Sequence, residues 1–287
     1  MSVQVGTAHS PDGMQLEYRA EGSGALAMVA CNGIGLSSFF WRDLSETFSK
    51  AGCTFVTWDY PGHGRSPTPE EPRELSIDAC ARGLWSVLDA LQIERAVLLG
   101  HSMGAQVILE AYRLRPERTL ALVPVLGAAG KVFDSLPLRR MMPLFIALGE
   151  SQPRLAEKLL RASLQLPGLW QGMRALRFVH PDLCPREEFE PWFEHFLNLD
   201  LRGYLALCRD MVTHDSSDLL PYIQVPTLVI GGEHDLFAPV ARSREMAAKI
   251  PNAELLVIPE GSHAALVEQP ELISLTLEKF LRSHHLC

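Results

Sequence analysis

A chain of 287 residues with 47% apolar and 21% charged residues can bury a full core, which excludes a disordered polymer. The formal charge of -8 comes without a basic stripe or interleaved aromatics, so nucleic acid is not an expected partner. No stretch offers about 18 uncharged apolar residues in a row, and the opening "MSVQVGTAHSPDGMQLEY" lacks a basic head followed by an apolar segment; the expectation is a soluble cytoplasmic protein without stable membrane insertion.

Taken in chain order, segments near 4–8 and 15–20 suggest an antiparallel edge pair. Short apolar runs follow at 26–31 (LAMVAC), 53–58 (CTFVTW), 96–99 (AVLL) and 120–125 (LALVPV), then at 227–230 (TLVI) and 254–258 (ELLVI). They lack alternation, as strands covered on both faces do. Helical patterns separate them at 38–49, 105–114, 240–250 and 270–281, and Ile77, Ala81, Leu84, Trp85, Leu88 and Leu91 form one apolar stripe. Strand and helix in alternation predict an α/β protein: a mostly parallel sheet flanked by helices, since parallel neighbours need crossover connections.

The alternation stops after Gly127 and resumes at Pro226. The intervening stretch is helical in pattern, rich in large apolar groups and cut by prolines at 143, 153, 167, 181, 185 and 191. It reads as a helical insertion, dividing the chain into a first core part at 1–130, an insertion at 131–218 and a second core part at 219–287. The six cysteines are scattered through mostly apolar segments and match neither a redox pair nor a zinc site. No metal and no cofactor is expected.

The stretch "LLGHSMGAQVI" places Gly100-His101-Ser102-Met103-Gly104 where a strand pattern ends and a helical one begins. This G-x-S-x-G arrangement lifts a serine onto a sharp strand-to-helix corner, with glycines where the backbone must approach closely. A serine hydroxyl is a weak nucleophile, so it needs a base and a group that orients the base. His263, in "VIPEGSHAALVEQP", and Asp235, in "TLVIGGEHDLFAPV", each follow a strand pattern and therefore converge with Ser102 at one sheet rim. Glu233 and Asp134 are rival acids. His101 is expected to pack or support, His234 to bond structurally, and His63 lies in the Gly-rich turn "DYPGHGRS".

An oxyanion needs two fixed donors. Met103 N–H at the helix start is one candidate. The other belongs to the loop "CNGIGLSSFFW", with Ile34 N–H preferred and Gly33 or Gly35 as alternatives. That loop is no dinucleotide fingerprint, because the third glycine spacing of that motif is incomplete and Asp59, after the next strand pattern, sits inside its own Gly-rich turn.

At these residues the sequence resembles the α/β-hydrolase superfamily, in its serine esterase or C-C hydrolase-like branch with a helical cap. "CNGIG" is similar to the family's oxyanion loop, "GHSMG" to its nucleophile elbow, "GGEHDLFAP" to its acid loop and "GSHAALVEQP" to its histidine loop. The resemblance implies Ser102 as nucleophile, Asp235 as orienting acid and His263 as base. Asn32 departs from the histidine common at its position. Serine at 102, where related dehalogenases and epoxide hydrolases carry aspartate, points away from those reactions.

The expected activity is acyl transfer to water from a small to medium hydrophobic carboxylic ester or thioester. Two alternatives stand: a C-C bond hydrolase acting on a keto acid or diketone, with Arg139, Arg140 or Arg174 reading a carboxylate, and a non-catalytic small-molecule receptor. Met141, Met142, Phe145, Trp170, Phe189, Trp192, Phe193 and Phe196 supply the insertion's apolar bulk, for packing or for a pocket. Oligomeric state has no signal in the sequence.

Overall fold

A computed structural model describes residues 2–130, 139–175, 177–184 and 186–287. Eight strands form one sheet: β1 (Val3–His9), β2 (Gln15–Glu21), β3 (Ala27–Cys31), β4 (Thr54–Trp58), β5 (Ala96–His101), β6 (Thr119–Val125), β7 (Leu228–Gly232) and β8 (Glu254–Ile258). Their order is β1-β2-β4-β3-β5-β6-β7-β8. β2 pairs antiparallel with β1 and β4, and every other neighbour is parallel. This is the α/β class read from the sequence, edge hairpin included.

The helices are α1 (Arg42–Lys50), α2 (Ile77–Ala90), α3 (Met103–Leu114), α4 (Met142–Ser151), α5 (Pro153–Leu164), α6 (Leu169–Ala175), α7 (Arg186–Asn198), α8 (Leu201–Thr213), α9 (Val240–Lys249), α10 (Ala265–Glu268) and α11 (Pro270–Ser283). The pattern at 38–49 resolves into a 3-10 turn, Ser38–Trp41, that runs into α1. α2 opens on Ser76, whose side chain accepts from the Ala79 N–H and caps the first turn. Its apolar stripe and that of α3 pack on one sheet face with Leu16, Val29 and Leu98. On the other face Phe40, Trp41, Phe55 and Phe280 close a second core. With both faces covered, β3 and β5 are buried at every position, which is why their sequences do not alternate.

Helices α4 to α8 lie between β6 and β7. At the base of this insertion Gly130 and Asp215 form an isolated antiparallel bridge, and Ser216 N–H donates to Ala129 C=O at 2.9 Å. A side chain at Gly130 would collide with Asp215. Pro143 and Pro153 stand at the first turns of α4 and α5, where no backbone donor is lost, whereas Pro191 is inside α7. No helix among the described residues is long and apolar enough to cross a membrane.

The sheet order places β3 between β4 and β5, so the chain crosses in opposite directions on either side of the β3/β5 seam. At such a switch point the loops leaving the two strands splay apart and open a crevice. Here those loops carry Gly33 to Leu36 and Ser102.

Candidate active site

Ser102 links β5 to α3 at φ 53° and ψ -115°, a left-handed conformation that a serine adopts only under constraint. The constraint is steric and is set by glycines. A Cβ at Gly100 would lie 2.2 Å from the Gly104 carbonyl oxygen, and one at Gly104 would lie 2.3 Å from that of Cys31. Both positions must be bare for helix and strands to meet this closely. Such backbone strain costs about 1–3 kcal/mol, and it aims the hydroxyl out of the sheet edge.

His263 Nε2 lies 3.0 Å from Ser102 Oγ, and its Nδ1 lies 2.8 Å from Asp235 Oδ2. The Asp235 side chain is fully buried, and its other oxygen accepts the N–H groups of Phe237 and Ala238 at 2.8 and 2.9 Å. The carboxylate is thus fixed, and it fixes the imidazole in the tautomer with hydrogen on Nδ1. The bare Nε2 then faces the serine. All three residues named from the sequence meet at one rim.

The rival acids do not reach this place. Glu233 turns away and accepts the Glu260 N–H at 3.0 Å. Asp134 lies outside the described residues. His234 N–H donates to Gly261 C=O at 2.9 Å, tying the acid loop to the histidine loop.

Neither the Met103 nor the Ile34 N–H finds an acceptor among the described residues. Met103 N–H is at the start of α3, beside the hydroxyl, where helix amides favour negative charge. Gly33 packs so tightly that a Cβ there would be 3.2 Å from Ser102 Cβ and 2.8 Å from His101 Nδ1. Gly35, at φ 71°, spends its N–H on His63 Nε2 at 3.1 Å, which removes it from the donor candidates.

Three supporting residues carried little or no signal in the sequence. His63 is buried, donates from Nδ1 to Pro61 C=O at 3.2 Å and presents Nε2 to Gly35, with burial pushing its pKa down to about 4. Asn32 accepts from Trp41 Nε1 at 3.0 Å and donates to Trp58 C=O at 2.8 Å, so this residue holds the loop by hydrogen bonds in place of histidine. Glu268 is buried under the histidine loop; it accepts from Ser262 N–H at 3.2 Å and, on its other oxygen, from His180 N–H at 2.6 Å. It therefore joins the residue before His263 to the helical insertion.

The hydroxyl and imidazole open onto a cavity of about 170 Å³ walled by Phe40, Phe178, Phe189, Trp192, Phe196, Tyr204, Met211 and Phe237. Among the described residues no lysine, arginine, aspartate or glutamate lines it. Among the insertion residues singled out from sequence, Phe189, Trp192 and Phe196 face the cavity, while Trp170 and Phe193 pack in the second core. Met141 and Phe145 instead are exposed on the surface. Periodicity alone could not separate these fates, because a helix stripe says nothing about which surface it meets.

A sequence profile described as the alpha/beta hydrolase fold matches residues 27–270. The chain belongs to the α/β-hydrolase family. It is 29% identical over 266 residues to a protein named putative carbamate hydrolase RutD from Pseudomonas savastanoi pv. phaseolicola, covering 93% of this chain and 97% of that one. It is 28% identical to 2-hydroxy-6-oxononadienedioate/2-hydroxy-6-oxononatrienedioate hydrolase 2 from Pseudomonas putida, covering 94% and 92%. A thermophilic esterase from Thermogutta terrifontis has the same fold, with a TM-score of 0.79 at 24% identity, covering 98% of this chain and 99% of that one.

Two other groupings in this hydrolase bear on metals and thiols. Among the described residues Asp78, Glu110 and His214 bring ligand atoms within 4.8 Å of one another. Glu110 is already engaged by Arg113 Nε at 2.8 Å and Ser216 Oγ at 2.7 Å, and His214 Nε2 lies 3.5 Å from it. None of the six cysteines forms a disulfide; five are buried and Cys287 is exposed, and burial pushes the Cys31 thiol up to about 12. Those five are inert apolar filler.

Proposed function

We propose that this hydrolase cleaves a small to medium hydrophobic carboxylic ester or thioester through an acyl-enzyme on Ser102. Residues 131–218 act as a helical cap over a core made of 1–130 and 219–287. The carrying observation is that His263 bridges Ser102 Oγ at 3.0 Å and Asp235 Oδ2 at 2.8 Å on the wall of an apolar cavity.

In the first step His263 Nε2 takes the proton as Ser102 Oγ attacks the carbonyl carbon. Asp235 holds the ring and stabilises the imidazolium. The N–H groups of Met103 and Ile34 receive the oxyanion, a contribution of about 3–4 kcal/mol when a single such donor is removed elsewhere. His263 then gives the proton to the leaving oxygen or sulfur. Water, deprotonated by the same nitrogen, attacks the acyl carbon and releases the acid and Ser102.

The cavity supports the substrate class by its size and its chemistry. A comparable apolar void of about 150 Å³ accommodates benzene, so there is room for one ring or a short acyl chain. With no cation among the described residues of the lining, a substrate carboxylate would be desolvated there without a partner. Arg140 is exposed, Arg174 bonds to the Pro181 carbonyl, and the Arg139 side chain lies outside the described residues. This weighs against the keto-acid C-C hydrolase reading, despite the Pseudomonas putida relative. A receptor has no need of a strained serine aligned with a base, which favours turnover over retention of ligand.

Treatment with a fluorophosphonate and intact-mass measurement tests the proposal. Wild type should gain one adduct, Ser102→Ala none, and the variant should lose nearly all hydrolysis of nitrophenyl butyrate while folding normally. Unchanged hydrolysis by Ser102→Ala would refute the assignment.

A further inference from the structure

Nearly half of the exposed large apolar side chains among the described residues fall between positions 141 and 166, in α4, α5 and their flanks. α5 buries none of its residues, and α4 buries only Ile146 and Gly149. The exposed groups are ordered. On α5, Leu155 (53% exposed), Leu159 (61%) and Ala162 recur at steps of four and three, and Leu166 (60%) extends the line past the helix. Beside them Arg154, Lys158 and Arg161 recur at the same steps and are also exposed. On α4, Leu144 (63%) and Leu148 (58%) form a second exposed line one turn apart. α4 and α5 are packed against each other, and a globular surface rarely leaves neighbouring helices with so many exposed leucines uncovered without a partner.

Charge identifies the partner. The whole chain is at -8, yet between positions 140 and 166 Arg140, Arg154, Lys158 and Arg161 stand against only Glu150 and Glu157. Glu150 is spent on Arg209 and Glu157 on Arg161, the latter at 2.8 Å. Arg154 and Lys158 have no acidic partner among the described residues. An apolar stripe flanked by a basic stripe suits a plane in which acyl chains lie beneath anionic headgroups: leucines enter the acyl boundary while the cations stay level with the charge. A second copy suits it less, because an isologous contact would set the basic stripe against itself.

We propose that the outward faces of α4 and α5 adsorb this protein to anionic lipid bilayers, without insertion of a helix across them. The surface is independent of the chemistry proposed for Ser102. It is also joined to the cavity, because α4 packs on α8, whose Tyr204 and Met211 line the pocket. Adsorption therefore brings apolar esters dissolved in the lipid near the site that would take them.

The test is co-sedimentation of the purified protein with vesicles of phosphatidylcholine alone and of phosphatidylcholine mixed with phosphatidylglycerol. Arg154→Glu/Lys158→Glu and Leu155→Ser/Leu159→Ser double variants are run beside wild type. Wild type should bind the anionic vesicles at least tenfold better than the neutral ones, and 0.5 M salt should cut that binding strongly, since the Debye length falls from about 10 Å at 0.1 M to about 3 Å at 1 M. Each double variant should lose at least fivefold, with hydrolysis of a water-soluble ester unchanged. All four positions are exposed, so unfolding is not an expected consequence, and circular dichroism checks it. Equal binding to both vesicle types, or binding unmoved by both double variants, would overturn the proposal. So would a dimer in light scattering that Leu155→Ser/Leu159→Ser dissolves, since the face would then belong to a second copy.

Discussion

His101 donates its Nε2 hydrogen to the main-chain carbonyl of His263 across 3.0 Å. The residue before the candidate nucleophile thus holds the backbone of the candidate base, with the two rings 5.0 Å apart. Burial first, and then the neighbouring His263, push the His101 pKa well below its ordinary value, so the ring stays neutral and keeps one fixed tautomer. Its Nδ1 is buried without a partner, which accords with a bare, uncharged nitrogen.

Replacing His101 with Leu should therefore leave the fold in place but let the His263 loop shift. Displacement of a reacting group by about 1 Å can cost on the order of a hundredfold in rate. The expected result is a drop of that order in kcat with KM little changed, read from steady-state kinetics on nitrophenyl butyrate. A wild-type kcat would show that the loop needs no such anchor.

Asp235→Asn keeps an oxygen for the Phe237 and Ala238 N–H groups, so the loop should persist. An amide donor facing His263 Nδ1 would favour the wrong tautomer and leave the imidazolium without its counter-charge. A fall of about 10⁴ in kcat is expected at neutral pH. A loss below tenfold would point to another acid.

Trp192 stacks among Phe178, Phe189 and Phe196, with ring centroids 5.9, 5.3 and 4.9 Å away, and lines the cavity. Trp192→Ala should lengthen the pocket. Methylene-scale discrimination is worth roughly 10–200-fold, so the ratio of kcat/KM for octanoate over butyrate should rise by at least tenfold. A ratio that does not move would place the acyl chain elsewhere.

Glu268 accepts N–H groups from Ser262 and from His180 in the insertion. Glu268→Gln turns one acceptor into a donor facing a donor in a buried place, a mismatch that costs about 1–3 kcal/mol. Denaturant unfolding should show that loss, accompanied by a lower kcat. An unaltered midpoint would mean the two segments are held by packing alone.

His63 makes folding pH-dependent. In the folded chain burial keeps it neutral down to about 4, whereas the unfolded histidine takes up a proton near 6.5. Its contribution is therefore complete above 6.5 and is lost as pH falls from 6.5 to about 4, amounting to about 3 kcal/mol. Burial gives His195 the same low value and the same sign. Asp59, pushed up to about 6 by burial, acts in the opposite sense between 6 and 3.8 and offsets part of the loss. Thermal unfolding midpoints should fall from pH 6.5 to 4, and His63→Gln should flatten the slope. An unchanged slope in that variant would exonerate His63.

Much of this was legible in the sequence because its cause is local or periodic. A strand covered on both faces must be apolar throughout, so β3 to β7 announced themselves as runs. A serine forced to positive φ needs bare neighbours, so Gly100 and Gly104 marked the corner. His263 and Asp235 could be named because loops after parallel strands leave at one edge. The hairpin at the amino end was similarly visible, while the extent of α3 was short by two residues, since a cap without a hydrogen-bonding side chain leaves no mark.

The sequence by itself determined the α/β architecture, the run of helices between β6 and β7 and the three residues that converge, because covalent neighbours and strand connectivity constrain all of these. Only the tertiary structure decided that Phe189, Trp192 and Phe196 wall a cavity while Met141 and Phe145 meet solvent. It alone set His63 against Gly35, 28 positions away, and Glu268 between Ser262 and His180. The physical reason is that periodicity fixes which side chains share a face, but what that face touches depends on how separate elements pack, and that is a property of the whole fold.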